Sequence, residues 1–172
     1  GDLIETGVWR GGSCIFMRAI LKAFHIEDRK VYVADSFQGL PQPDIEKYPA
    51  DEGDTLHEAD CLAVSQEEVE KNFMKYGLLD NQVVFLKGWF EQTLPNACIE
   101  KLSILRLDGD MYSSTITALE NLYPKLSIGG FCIIDDYALS NCKQAVDDYR
   151  KHNEISCEMI KIDWSGHYWR KT

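Results

Sequence analysis

Six acidic residues stand where short apolar runs give out: Glu5 after Leu3-Ile4, Asp35 after Val31 to Ala34, Asp108 and Asp110 after Ile104 to Leu107, and Asp135 with Asp136 after Phe131 to Ile134. Short apolar runs of this kind read as buried parallel strands, and in an open α/β sheet ligands bind beyond the carboxyl ends of the strands. Carboxylates gathered at one place raise one another's pKa and cost folding free energy, whereas a divalent cation turns them into ligands. If the fourth and fifth runs are neighbouring strands, Asp108, Asp135 and Asp136 meet around one ion. An oxygen-only donor set suits magnesium (Mg2+), with Mn2+ or Ca2+ as substitutes. The competing reading is structural, since Asp-Gly-Asp and Asp-Asp also occur in ordinary turns and helix caps.

A second constellation lies at the start of the chain, in Glu5-Thr-Gly-Val-Trp-Arg-Gly-Gly-Ser13 followed by the apolar segment Cys14 to Phe24. It reads as a strand end, a tight turn at Gly7, Gly11 and Gly12, and a helix whose free N–H groups at Ser13 face the turn. The spacing is Glu-x-Gly-x-x-x-Gly. A dinucleotide loop needs a second glycine two residues after the first, and Trp9 fills that place. The pattern resembles instead the first motif of class I methyltransferases, which hold S-adenosyl-L-methionine over this turn. Asp35, at the end of the next strand, offers two acceptor oxygens for a pair of ribose hydroxyls. Trp89 beside Gly88 can pack on an adenine ring, or simply in the core.

The elements that must place these residues follow from periodicity. Val31–Asp35, Val83–Leu86, Ile104–Leu107 and Phe131–Ile134 are expected strands after the first. Ser65 as N-cap and Glu68 three residues on form a capping box, with Val64 and Val69 as a hydrophobic staple, for a helix reaching about Tyr76 before Gly77. Thr115, Ala118, Leu119, Leu122 and Leu126 share one helical face, with a stop expected near Gly129-Gly130, and Ser140 is expected to cap a helix that buries Cys142, Ala145, Val146 and Tyr149. Residues 155–162 and 166–170 read as a closing hairpin around Asp163 to Gly166. Residues 36–63 hold three prolines and show no period, so they read as one long connection and a candidate lid. The expected fold is a Rossmann-like α/β sheet, mostly parallel, with an antiparallel C-terminal hairpin.

With 172 residues, the chain suits a single domain. A net charge of −10 argues against a nucleic-acid partner, which needs clustered Lys and Arg. Six cysteines without C-x-x-C spacing read as reduced thiols. No apolar run is long enough to span a bilayer, so a cytoplasmic protein without membrane attachment is expected. Only Gly1 precedes the first expected strand, so a core lacking an N-terminal region is expected.

Five stretches together resemble the macrocin O-methyltransferase family: Glu5 to Ser13, Ala34-Asp-Ser-Phe-Gln-Gly-Leu-Pro41, Phe85-Leu-Lys-Gly-Trp-Phe90, Leu105-Arg-Leu-Asp-Gly-Asp-Met-Tyr112 with Ser114-Thr115, and Asp135-Asp-Tyr137. The resemblance covers nearly the whole chain and includes Asp163-Trp164 and Tyr168-Trp-Arg170. It implies a class I fold and Mg2+-dependent methylation of a sugar hydroxyl in a natural product or other small glycoside, with S-adenosyl-L-methionine as donor. Carried over, Glu5, Thr6, Gly7, Asp35, Ser36 and Gly88 face the cofactor, and Asp108, Asp135 and Asp136 hold the metal. One branch of the group places a histidine base after the Asp-Asp pair, where this chain has Ala138, Leu139 and Ser140; the base here is then Asp108. The family's N-terminal region helps to close the site and to build a homo-oligomer. Two rivals remain open at this point: a metal-dependent phosphotransferase or hydrolase drawing on Lys87 and Arg106 as phosphate cradle, and a non-catalytic module that only binds S-adenosyl-L-methionine.

Overall fold

The computed structural model describes residues 1–172 as one seven-stranded sheet with helices on both faces. The strands are β1 (Asp2–Thr6), β2 (Val31–Asp35), β3 (Val83–Lys87), β4 (Leu102–Leu107), β5 (Leu126–Ile134), β6 (Ile160–Lys161) and β7 (His167–Arg170). They lie in the order β3-β2-β1-β4-β5-β7-β6. The first five strands are parallel, and β7 runs antiparallel to both β5 and β6, as a closing hairpin requires, although only Ile160–Lys161 of the expected 155–162 pair with it. The helices are α1 (Gly12–Ala23), α2 (Gln66–Lys75), α3 (Phe90–Thr93), α4 (Tyr112–Leu122) and α5 (Ser140–His152).

Alternation along each strand divides the core in two. Ile4, Leu105, Leu107, Cys132, Ile134 and Trp169 face α4 and α5 and pack with Leu119, Leu122, Val146 and Tyr149. On the other face Leu3, Val31 and Val33 pack with Cys14, Met17 and Leu21 of α1 and with Val69 and Phe73 of α2. The strand order reverses between β1 and β4, which opens a crevice at their carboxyl ends.

The N-terminus of α2 follows the capping box in part. Ser65 Oγ accepts the Glu68 N–H at 3.3 Å, and Val64 and Val69 are both buried in one cluster. The Glu68 carboxylate turns instead toward Arg10, 4.0 Å away. Two expectations are corrected. The fourth helix ends at Leu122, because Pro124 has no N–H to continue it and a single 3-10 turn, Tyr123–Lys125, follows. Gly129 and Gly130 therefore belong to β5, where pairing with β4 shifts between Leu102 and Ile104. Ser140 is the first helical residue of α5 and makes no capping bond; Leu139 occupies the cap position. Residues 36–63 contain three 3-10 turns, Pro49–Asp51, Leu56–Glu58 and Asp60–Leu62.

Candidate active site

The glycine turn after β1 is set by how close β4 comes. Gly7 has φ 81°, and a Cβ there would stand 1.6 Å from the Asp108 carbonyl oxygen. Any side chain would drive the ends of the two central strands apart. Asp35 closes the turn from the other side, its Oδ2 accepting the Val8 N–H and its Oδ1 the Phe37 N–H, both at 2.7 Å. A carboxylate has about four lone-pair sites, so Asp35 keeps acceptor capacity on the cleft that it lines. Burial pushes its pKa up, and the backbone N–H groups of Val8 and Phe37 pull it back.

The acids of β4 and β5 converge as expected. One carboxylate oxygen from each of Asp108, Asp135 and Asp136 lies within 4.8 Å of the others. Unexpected is the cation among them. Arg106 pairs with Glu5, with Asp108 at 2.6 Å, and with Asp135. Asp136 has no ion pair and accepts only the Asp110 N–H, at 3.2 Å. Its pKa is accordingly pushed up to about 8, first by burial and then by Asp110, Asp108 and Asp135. Asp110 is pushed to about 6 by burial and by Asp108, Asp54 and Asp135, and burial also raises Asp108 against the pull of Arg106. This surplus of negative charge, presented as three convergent oxygens, fits a hard divalent cation.

The cleft beside the acids has a volume of about 440 Å³. Gly7, Asp35, Ser36, Gly88, Trp89 and Asp108 line it. Trp89 is half-buried there, next to Phe90. Glu5, Thr6 and Ser13 lie outside the lining. Glu5 is buried beneath the turn, where it accepts from Arg106 and from the Cys14 thiol at 3.0 Å; burial raises its pKa against the pull of Arg106, the Cys14 thiol and the Ser13 hydroxyl. Thr6 is buried, its hydroxyl without a partner.

The long connection forms the opposite wall through Gly39 to Gln42, Asp44, Tyr48 and Leu62. Four sets of bonds hold it. Lys47 and Tyr48 donate to Glu91 of α3 at 2.8 and 3.2 Å, and the Trp9 indole N–H donates to the Cys61 carbonyl at 2.9 Å. Asp51, fully buried, accepts the first two N–H groups of α4, from Tyr112 at 2.7 Å and Ser113 at 3.0 Å. Its neighbour Asp54 accepts from Asn141 of α5 at 2.8 Å. Sequence reasoning missed both Asp51 and the part played by Arg106. For Arg106 the signal was a charged residue inside an apolar strand; for Asp51 the sequence offers none.

Comparison with known proteins places this geometry. The macrocin-O-methyltransferase (TylF) family model matches residues 1–171. Demethyldecarbamoylnovobiocin O-methyltransferase of Streptomyces niveus is 55% identical over all of this chain and 66% of its own length. Mycinamicin III 3''-O-methyltransferase of Micromonospora griseorubida is 52% identical over all of this chain and 69% of its own. The chain thus spans about two thirds of these relatives, by those same shares. The solved O-methyltransferase NovP superposes with a TM-score of 0.97 at 55% identity, covering all of this chain and 72% of that one. The calicheamicin methyltransferase CalS11 shares the fold at 19% identity, with a TM-score of 0.77 over 99% of this chain and 72% of that one. No helix here is long and apolar enough to cross a membrane. With the seven-stranded class I sheet, the glycine turn against β4 and the family match agreeing, the chain belongs to the macrocin-O-methyltransferase family of O-methyltransferases.

Proposed function

We propose that this chain is the catalytic core of an S-adenosyl-L-methionine-dependent methyltransferase that acts on a sugar hydroxyl of a natural-product glycoside, aided by Mg2+. Two of the relatives are, by their names, O-methyltransferases of demethyldecarbamoylnovobiocin and of mycinamicin III, and the observation that carries the reading is the double membership of Asp108. It is the one member of the acid trio that also lines the cleft. A group able to accept a proton and the space for two substrates therefore meet at a single side chain.

On this reading Asp35 holds the ribose hydroxyls with its remaining lone pairs, while Gly88 and Trp89 flank the adenine. Gly7 lets the methionine end approach the backbone, with Ser36 beside it. Glu5, Thr6 and Ser13 act from beneath, by fixing the turn. A divalent cation on Asp108, Asp135 and Asp136 would supply Lewis acidity that lowers the pKa of a sugar hydroxyl. The hydroxyl oxygen attacks the sulfonium methyl carbon, the carbon–sulfur bond breaks with its electron pair going to sulfur, and Asp108 takes the hydroxyl proton. Burial strengthens Asp108 as a base by raising its pKa. Alignment of the two substrates contributes up to ~7–11 kcal/mol, and the general base about 10²- to 10⁴-fold. The wall formed by residues 36–63 acts as a lid that excludes water.

The phosphotransferase alternative loses one of the two cations of its cradle, because the Arg106 guanidinium is engaged by three carboxylates. A binding module would need no proton acceptor, and the test follows from that. S-adenosylhomocysteine release from a deoxysugar glycoside is followed over a Mg2+ series, with EDTA as blank. Asp108→Asn should abolish turnover at saturating Mg2+. Activity that survives EDTA rejects the metal, and a fully active Asp108→Asn rejects the base.

A further inference from the structure

Arg106 is a fixed cation set beside three oxygens that would also suit a divalent cation. Strand register explains how it gets there. Arg106 pairs with Glu5 on β1 and with Ile133 on β5. The two-residue period of a strand then sets Glu5, Arg106, Asp108 and Asp135 on one face of the sheet. The guanidinium is mostly buried, with 18% of its side chain exposed.

Its bonds divide the carboxylates in a specific way. Nη1 donates to Glu5 Oε1 and to Asp108 Oδ2, and Nη2 donates to Asp135 Oδ1. Each aspartate spends one oxygen on the fork, so Asp108 Oδ1 and Asp135 Oδ2 are left without a protein N–H donor. A planar fork bonded to both groups fixes their rotation, which a flexible ammonium cannot do. Glu5, itself steadied by the Cys14 thiol, anchors the fork from the far side.

We infer that Arg106 is a positioning residue for the cation site: it turns Asp108 and Asp135 so that their second oxygens meet Asp136. This rests on the reading of the three aspartates as ligands of a divalent cation. Two accounts of Arg106 predict opposite signs. If it only balances charge, removing it relieves repulsion and tightens cation binding. If it positions, removing it loosens binding even though a positive charge has gone.

The experiment measures Mn2+ affinity from the electron paramagnetic resonance signal of the free ion at a fixed pH, for the unmodified chain, Arg106→Gln and Arg106→Lys. Circular dichroism melts confirm folding. Both variants should bind Mn2+ about tenfold or more weakly, in the range expected when groups that orient metal ligands are removed. Arg106→Lys is decisive where Arg106→Gln does not fold, because it keeps the charge and loses the fork. Wild-type affinity in Arg106→Lys, or tighter binding in Arg106→Gln, overturns the positioning role. If the unmodified chain binds no Mn2+, the cation site itself fails, and that outcome is distinct from either variant result.

Discussion

Replacing Asp136 by Asn should make the metal-free protein more stable at pH 8 while weakening its hold on Mg2+. The ordinary carboxyl pKa of 3.8 is raised to about 8 in the fold. Between these values the folded protein keeps a proton that the unfolded chain has released. The contribution of Asp136 to stability is thus fully present below pH 3.8 and is lost as pH rises toward 8. A shift of about four units at ~1.4 kcal/mol each sets a ceiling near 6 kcal/mol. Water and counter-ions reach this half-buried cluster, and cutting the ceiling by about half leaves ~2–3 kcal/mol. For a chain of this size that is a rise of about 5–10 °C in melting temperature. Asn is near-isosteric and its carbonyl can still accept the Asp110 N–H, so the packing is preserved. Thermal unfolding in EDTA at pH 5 and pH 8, for the unmodified chain and Asp136→Asn, measures the effect. The unmodified chain should lose stability across that interval, the variant should lose much less, and Mg2+ should restore the unmodified chain at pH 8, since a cation takes the place of the missing proton. Parallel pH profiles for the two proteins would refute both the charge crowding and the ligand assignment built on it.

Three further outcomes follow from single contacts. Gly7→Ala should destabilise the fold by about 3 kcal/mol or more and abolish cofactor binding, because backbone strain at positive φ adds to displacement of the β4 end; an unchanged urea midpoint would contradict the close approach. Asp35→Ala should weaken S-adenosyl-L-methionine binding by about 2 kcal/mol, measured by calorimetric titration, and equal affinity in the folded variant would remove Asp35 from the ribose site. Asp51→Ala, which uncaps α4, should cost about 1–2 kcal/mol and speed protease nicking within residues 36–63. Nicking at the wild-type rate would show that Asp51 does not hold the wall of the cleft in place.

Much of the fold was readable because the rules that govern it are local. Val31–Asp35 is an apolar run with an acid at its end, and it is a strand over those residues. The helix after Ser65 obeys its cap, and Cys142, Ala145, Val146 and Tyr149 bury the face that their spacing predicts. The misses came where local signals compete. Leu126 continues the helical spacing of Leu119 and Leu122, yet Pro124 stands between, and its missing N–H outweighs the apolar pattern. Gly129-Gly130 looks like a helix stop but serves a strand irregularity, because glycine permits both.

The site divides along the same line. Which residues end a strand is a local property, and that alone brought Asp108, Asp135 and Asp136 together once β4 and β5 proved to be neighbours. Which side chain answers which is a property of register, and register is set by partners distant in sequence. Glu5 was expected to face the cofactor, but the Glu5–Arg106 pairing across β1 and β4 turns it into the anchor of a guanidinium. Asp51 shows the same limit more sharply. At the end of a short 3-10 turn in an irregular connection it resembles any surface acid, and only the fold carries it to the N-terminus of α4, where a helix begins without a cap of its own. The acids of this chain therefore fall into two kinds. Asp35, Asp108, Asp135 and Asp136, at strand ends, each answer an N–H or an arginine and still keep acceptor capacity for a ligand; Glu5 and Asp51, both buried, have spent theirs on holding the guanidinium and the start of α4 in place.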